Sequence, residues 1–141
     1  MTRVLPVLVL VLVLVLTLPA VAASRGTAHA SFAYGRTGGN RAPFRVSIAR
    51  DGKVTSRGAV QKSTLVRRVP VRTLDRLFAR ARAASFFAMP RYTRCRGTLP
   101  DYAASFLRIS TSARSKTVTV RGDCRPKFTR LYLAVRAAAS R

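Results

Sequence analysis

Phe44-Arg45-Val46-Ser47-Ile48-Ala49-Arg50-Asp51-Gly52-Lys53-Val54-Thr55-Ser56-Arg57 is the stretch on which the fold turns. Apolar and polar residues alternate over 44–49, the period of a half-buried strand, with Phe44, Val46 and Ile48 on the core face. Asp51-Gly52 is a hairpin signal, because glycine takes the positive φ of a tight turn without steric cost. Residues 54–57 then form the returning strand.

Working outward, Ser31-Phe32-Ala33-Tyr34 alternates as a first strand, and Arg36-Thr37-Gly38-Gly39-Asn40 reads as a turn or as a projecting loop over 36–43. A further short strand is expected over 65–69. Pro70 opens a helix, where its missing N–H is harmless. Val71, Leu74, Leu77, Phe78 and Ala81 gather on one side of that helix, and Arg72, Arg76 and Arg80 on the other. Phe86, Phe87 and Met89 make an apolar plug, and 90–101 reads as a loop holding Cys95. Ser105-Phe106-Leu107-Arg108-Ile109 and Thr117-Val118-Thr119-Val120 form a second hairpin about a polar turn. Pro126 opens a last helix with Phe128, Leu131, Tyr132, Val135 and Ala138 on one stripe.

The order β-β-β-(β)-α-β-β-α predicts an α+β domain. Short turns imply an antiparallel sheet of about five to six strands, with two amphipathic helices packed on one face.

The N-terminus assigns the compartment. Met1-Thr2-Arg3 precedes an apolar run over 4–16, and Ala20-Val21-Ala22 is a small-x-small site, the plan of a secretory signal peptide. A retained anchor is the rival reading, because 4–23 just reaches the roughly 20 residues that span a bilayer; Pro19 and the alanines argue for cleavage near Ala22. Residues 1–22 are therefore expected to be the signal, 23–30 a flexible leader and 31–141 one domain, secreted or held at the cell envelope. Folding the second hairpin brings Cys124 near residue 101. Cys95 is then a short loop away, and the two are expected to form a disulfide in an oxidising compartment.

The chain has 141 residues, 27 Lys+Arg, 4 Asp+Glu and a net charge of +23. Such a charge gives fast, salt-sensitive association with polyanions. Outside the cytosol these are acidic envelope polymers, lipid head groups and acidic proteins; no strand pattern of the RNA-binding type places nucleic acid among them.

The same composition argues against catalysis. There is no glutamate, and the aspartates stand at 51, 75, 101 and 123. Asp101 and Asp123, at the ends of one hairpin beside Arg96, Arg121 and Arg125, are expected to form salt bridges rather than an acid–base pair. The single histidine, His29, lies in the leader. Gly-x-Ser-x-Gly, Gly-Lys-Ser/Thr and Cys-x-x-Cys are all absent, so neither enzyme nor cofactor nor metal is expected.

Arg36-Thr37-Gly38-Gly39 after the first strand, Asp51-Gly52-Lys53-Val54, and a helix closing in Ala84-Ser85-Phe86-Phe87 together resemble the emfourin-like domains over residues 31–138. The resemblance implies a small α+β fold and inhibition of thermolysin-like metallopeptidases by occlusion of the active site. Asn40-Arg41-Ala42-Pro43 departs from the family's usual continuation of the glycine pair, and no inhibitory residue is carried over. Two non-catalytic functions are thus expected. The first is an extracellular protein-binding module, with Arg36, Gly38, Gly39 and Asn40 at the contact. The second is a cationic envelope protein whose Arg72, Arg76 and Arg80 meet an acidic polymer.

Overall fold

The computed structural model describes residues 26–140; the signal segment and its cleavage site lie outside the described residues. Eight principal elements follow in order: β1 (Ser31–Arg36), β2 (Phe44–Ile48), β3 (Val54–Gly58), α1 (Val71–Ala83), β4 (Tyr92–Arg94), β5 (Ser105–Ser110), β6 (Ser115–Arg121) and α2 (Pro126–Ala139). The six strands form one sheet in the order β3-β2-β1-β5-β6-β4, antiparallel except for the pair β4–β6. This is the expected α+β architecture.

Side-chain alternation divides the sheet into two faces. Phe32, Tyr34, Val46, Ile48, Leu107, Ile109, Val118 and Val120 point one way and are buried against Leu74, Leu77 and Ala81 of α1 and Phe128, Leu131 and Val135 of α2. Burying a side chain of this size stabilises the fold by about 1.5–3 kcal/mol. Phe86 completes the core from a 3-10 turn at Phe86–Ala88, reached through Ser85 at φ 56. Tyr132 stacks on Phe128, meets Tyr34 edge-on and donates its hydroxyl to the Gly35 carbonyl at 3.3 Å. Burial pushes the phenols of both Tyr34 and Tyr132 above the ordinary tyrosine range.

The Asp51-Gly52 turn is built as expected, and its geometry admits only glycine. Gly52 has φ +86, and a Cβ there would sit 2.0 Å from the Val69 carbonyl. That contact also explains why the strand expected over 65–69 is absent. The segment makes only isolated bridges, Lys53 with Arg68 and Leu65 with Ser140, after a 3-10 turn at Lys62–Thr64. Val69 N–H donates to Gly52 and Val66 N–H to Ala139, so its backbone is shared between the hairpin tip and the end of α2. It crosses the edge of the sheet instead of extending it.

The missing strand is supplied elsewhere. Within 90–101, expected to be a loop, Tyr92–Arg94 pairs in parallel with Thr119, Val120 and Arg121. The Cys95–Cys124 disulfide, present as expected, closes immediately behind it. The end of the leader also departs from expectation. Ala28 and Ala30 are buried, Ala28 N–H donates to the Arg50 carbonyl, and the His29 ring nitrogen lies 2.9 Å from Asp75 Oδ1.

Hydrogen bonds from His29, backbone and ring, hold the Asp75 carboxyl below its ordinary range. A carboxylate depressed on folding stabilises the docked arm above its unfolded pKa and ceases to do so as pH falls through the folded one. Acidification into the lower carboxylate range should therefore release residues 28–30. Asp75→Asn should do the same at neutral pH, with Ala28 and Ala30 methyl resonances moving toward unfolded positions. Resonances that stay in place in both experiments would show that burial of the two alanines holds the arm without the hydrogen bonds to Asp75.

Candidate functional site

The second face of the sheet carries no packed element among the described residues. Pairing registers define its rows directly. One row crosses all six strands: Arg57 (β3), Arg45 (β2), Gly35 (β1), Phe106 (β5), Thr119 (β6) and Tyr92 (β4). The next runs Thr55, Ser47, Ala33, Arg108, Thr117. Ser31, Ser110 and Ser115 follow in a third. The surface is thus a carpet of small and hydroxyl side chains carrying arginines and the exposed Tyr92 ring, with the Phe106 ring lying against Gly35.

Arg45, Arg57 and Arg108 are all exposed. Arg45 donates Nε–H to Ser47 Oγ at 3.2 Å, and Arg108 donates Nε–H to Ser115 Oγ at 3.1 Å. These bonds fix the guanidinium stems and leave the terminal nitrogens outward, with no carboxylate on any of the three among the described residues. Between Arg45 and Arg108 lies a depression of 420 Å³ floored by Ala33, with Ser31, Ser47 and Ser110 on its walls. Arg94 and Arg121 share the face but are committed, donating to the carbonyls of Thr98 and Pro100.

None of the four aspartates stands on a strand. Asp51 sits at the β2–β3 turn, where Lys53 N–H and then the Arg68 guanidinium hold its carboxyl below the usual range. Asp75 is engaged by His29. Asp123 accepts a hydrogen bond from Thr129 Oγ1, in the first turn of α2, at 2.7 Å. The expected salt bridging at Asp101 and Asp123 does not occur among the described residues, because Arg121 is drawn to Pro100 and Asp123 to Thr129. The open face is therefore uniformly cationic.

The helix arginines divide. Arg72 and Arg76 are exposed on the outer side of α1, where Arg76 bonds Thr73 Oγ1. Arg80 turns toward α2 and lines a 340 Å³ cleft with Lys127 and Arg130 above Ala83, Ala84 and Leu131. They do not form one contact surface. The loop over 36–43 is braced against 101–104. Asn40 N–H donates to the Asp101 carbonyl, Asn40 Oδ1 accepts from Ala103 N–H, and Thr37 exchanges bonds with Ala104. Gly39, at φ +139, leaves no room for a Cβ against Asp101. Arg36 lies over the Phe44 ring and donates to the Ala42 carbonyl. Arg36, Gly39 and Asn40 thus build the loop, while Gly38 stands in open space.

Sequence reasoning did not find Arg45, Arg57, Arg108 and Phe106. The signal was present as the outward half of each alternation, but their convergence depends on β5 lying beside β1. Comparison with family models, with curated proteins and with solved structures finds no match to this chain.

Proposed function

We propose that this chain is an exported, non-catalytic binding domain that holds an acidic polymer on the open face of its sheet. The observation that carries the reading is the grouping of Arg45, Arg57 and Arg108 on a face that carries no carboxylate among the described residues. A single exposed ion pair contributes only about 0–1 kcal/mol. A polymer engages several at once and releases the counterions it had condensed, which makes affinity additive and strongly salt-dependent. Serine hydroxyls that hold Arg45 and Arg108 reduce the ordering left to do on binding. The disulfide is compatible with an oxidising compartment.

The reading predicts binding of both polyphosphate and polygalacturonate, with no binding of neutral dextran. Affinity should fall by at least tenfold between about 50 and 200 mM salt. Affinity that ignores salt, or dextran that competes, would remove the electrostatic basis.

A second reading is favoured by the braced loop. Exposed residues 37–43 held rigid by backbone bonds to 101–104 suit a docking loop for an extracellular metallopeptidase, in keeping with the emfourin-like resemblance. Stoichiometric inhibition of a thermolysin-like enzyme, abolished by Gly39→Val, would establish it, and full activity at excess protein would end it.

A further inference from the structure

We infer that the hollow between Arg45 and Arg108 seats a tetrahedral oxyanion with three free oxygens, the end group of a phosphate or sulfate monoester carried by the polymer. This rests on the polyanion reading above and adds the chemistry of the anion.

Arg45, Arg108 and Lys53 all border the hollow. They reach it from different parts of the sheet: Arg45 from β2, Arg108 from β5, and Lys53 from the residue that precedes β3. Ala33 of β1 lies between them, directly opposite Ser47 on one side and Arg108 on the other. Its methyl points away from the core, yet Ala33 is only 4% exposed on a face that no described element covers. The side chains standing on β2 and β5 therefore close around it, and the hollow has walls as well as a floor.

What lines those walls is donors. Arg45 and Arg108 spend Nε–H on serine hydroxyls, and among the described residues neither their terminal nitrogens nor Lys53 Nζ meets an acceptor. Ser47 Oγ accepts from Arg45 and keeps its own proton to donate. No carboxylate borders the hollow among the described residues. An anion is the group that this set lacks.

The placement of the donors discriminates between anions. A carboxylate has two oxygens in one plane, which a single guanidinium matches as a fork. Donors arriving from β2, β5 and the start of β3 surround the hollow and do not share one plane. The end group of a phosphate or sulfate monoester spreads three oxygens about its central atom, so that each cation can meet an oxygen of its own. A phosphate monoester also brings close to two negative charges. A phosphodiester linkage leaves only two oxygens free and fits less well.

The experiment titrates the intact oxidised protein with methyl phosphate, methyl sulfate, dimethyl phosphate and acetate, with ionic strength held constant by chloride, and follows its amide resonances. The two monoesters should give saturable shifts centred on Ala33, Ser47 and Lys53. Methyl sulfate should bind roughly threefold tighter than acetate of the same charge, the worth of about one further exposed ion pair. Lys53→Gln should remove that advantage. Ala33→Val changes no charge but fills the floor, so it should abolish the saturable shifts while polyphosphate remains bound. Valine suits a strand, and Lys53→Gln, at an exposed position, tests the same site without altering packing. Seating of either monoester alone names the ester and supports the site. Acetate or dimethyl phosphate seated as tightly as methyl sulfate would overturn the three-oxygen group. Shifts that stay linear, spread over the arginines at large and ignore Ala33→Val would overturn the site, and the polyanion reading would stand if polyphosphate still bound. Failure of polyphosphate to bind would remove both.

Discussion

Replacing Arg45, Arg57 and Arg108 together by glutamine should weaken binding to an acidic polymer on the order of a hundredfold at physiological salt. Each cation that displaces a condensed counterion contributes nearly one unit to the logarithmic salt slope, so three losses should flatten that slope by about three on a polymer of nucleic-acid-like charge density. The matched control is Arg72, Arg76 and Arg80 to glutamine, which lowers the net charge by the same amount. Arg72 and Arg76 sit on the outer side of α1, on the helical layer, and Arg80 in the α1–α2 cleft. Steering at long range should suffer equally in both variants, whereas short-range contact should fail only in the first. Equal weakening would mean that total charge matters and the sheet face does not. Stability supplies an independent sign. Arg45 and Arg57 are directly opposite on neighbouring strands, an arrangement of like charges that destabilises a sheet. The sheet variant should therefore unfold at slightly higher temperature while losing its ligand, the pattern expected where a surface is kept for binding.

How far the amino-acid order revealed this surface depends on the range over which its parts act. The β2–β3 hairpin was legible because alternation and the Asp51-Gly52 turn are local, and both helices because a 3.6-residue stripe repeats within one segment. Arg72, Arg76 and Arg80 stood out for the same reason, although their surroundings differ once α2 packs against α1. The sheet arginines come from three strands whose adjacency is a property of the whole domain. No local period joins Arg45 to Arg108. The strand at Tyr92–Arg94 escaped notice because three residues carry too little alternation, and its pairing is imposed from outside by Cys95 N–H donating to Arg121 and by the crosslink behind it. Residues 65–69 misled in the opposite direction. Their apolar content is real, but it is spent on covering the hairpin tip and the end of α2.

Removing the disulfide with Cys95→Ala and Cys124→Ala should destabilise the domain by about 3–4 kcal/mol, the chain-entropy value for a separation of 29 residues. A domain of this size holds roughly 5–15 kcal/mol in total, so the melting temperature should fall by about 10–20 °C. The loss should not be uniform. β4 contributes only three paired residues at the sheet edge, and Cys95 follows directly on Arg94. The approach is close: a Cβ on Gly122, which has φ +92, would come 2.7 Å from Cys95 Cβ and 2.5 Å from Thr98 Oγ1. The crosslink and that glycine together press β4 against β6. Without the bond, the amides of Cys95 and Thr119, which donate to Arg121 and Arg91 across this pair, should lose hydrogen-exchange protection first. β1 and β2, paired on both sides at the centre of the sheet, should keep theirs until global unfolding. Loss of protection at equal rates throughout would mean that the bond restrains the chain as a whole and does not fasten one edge.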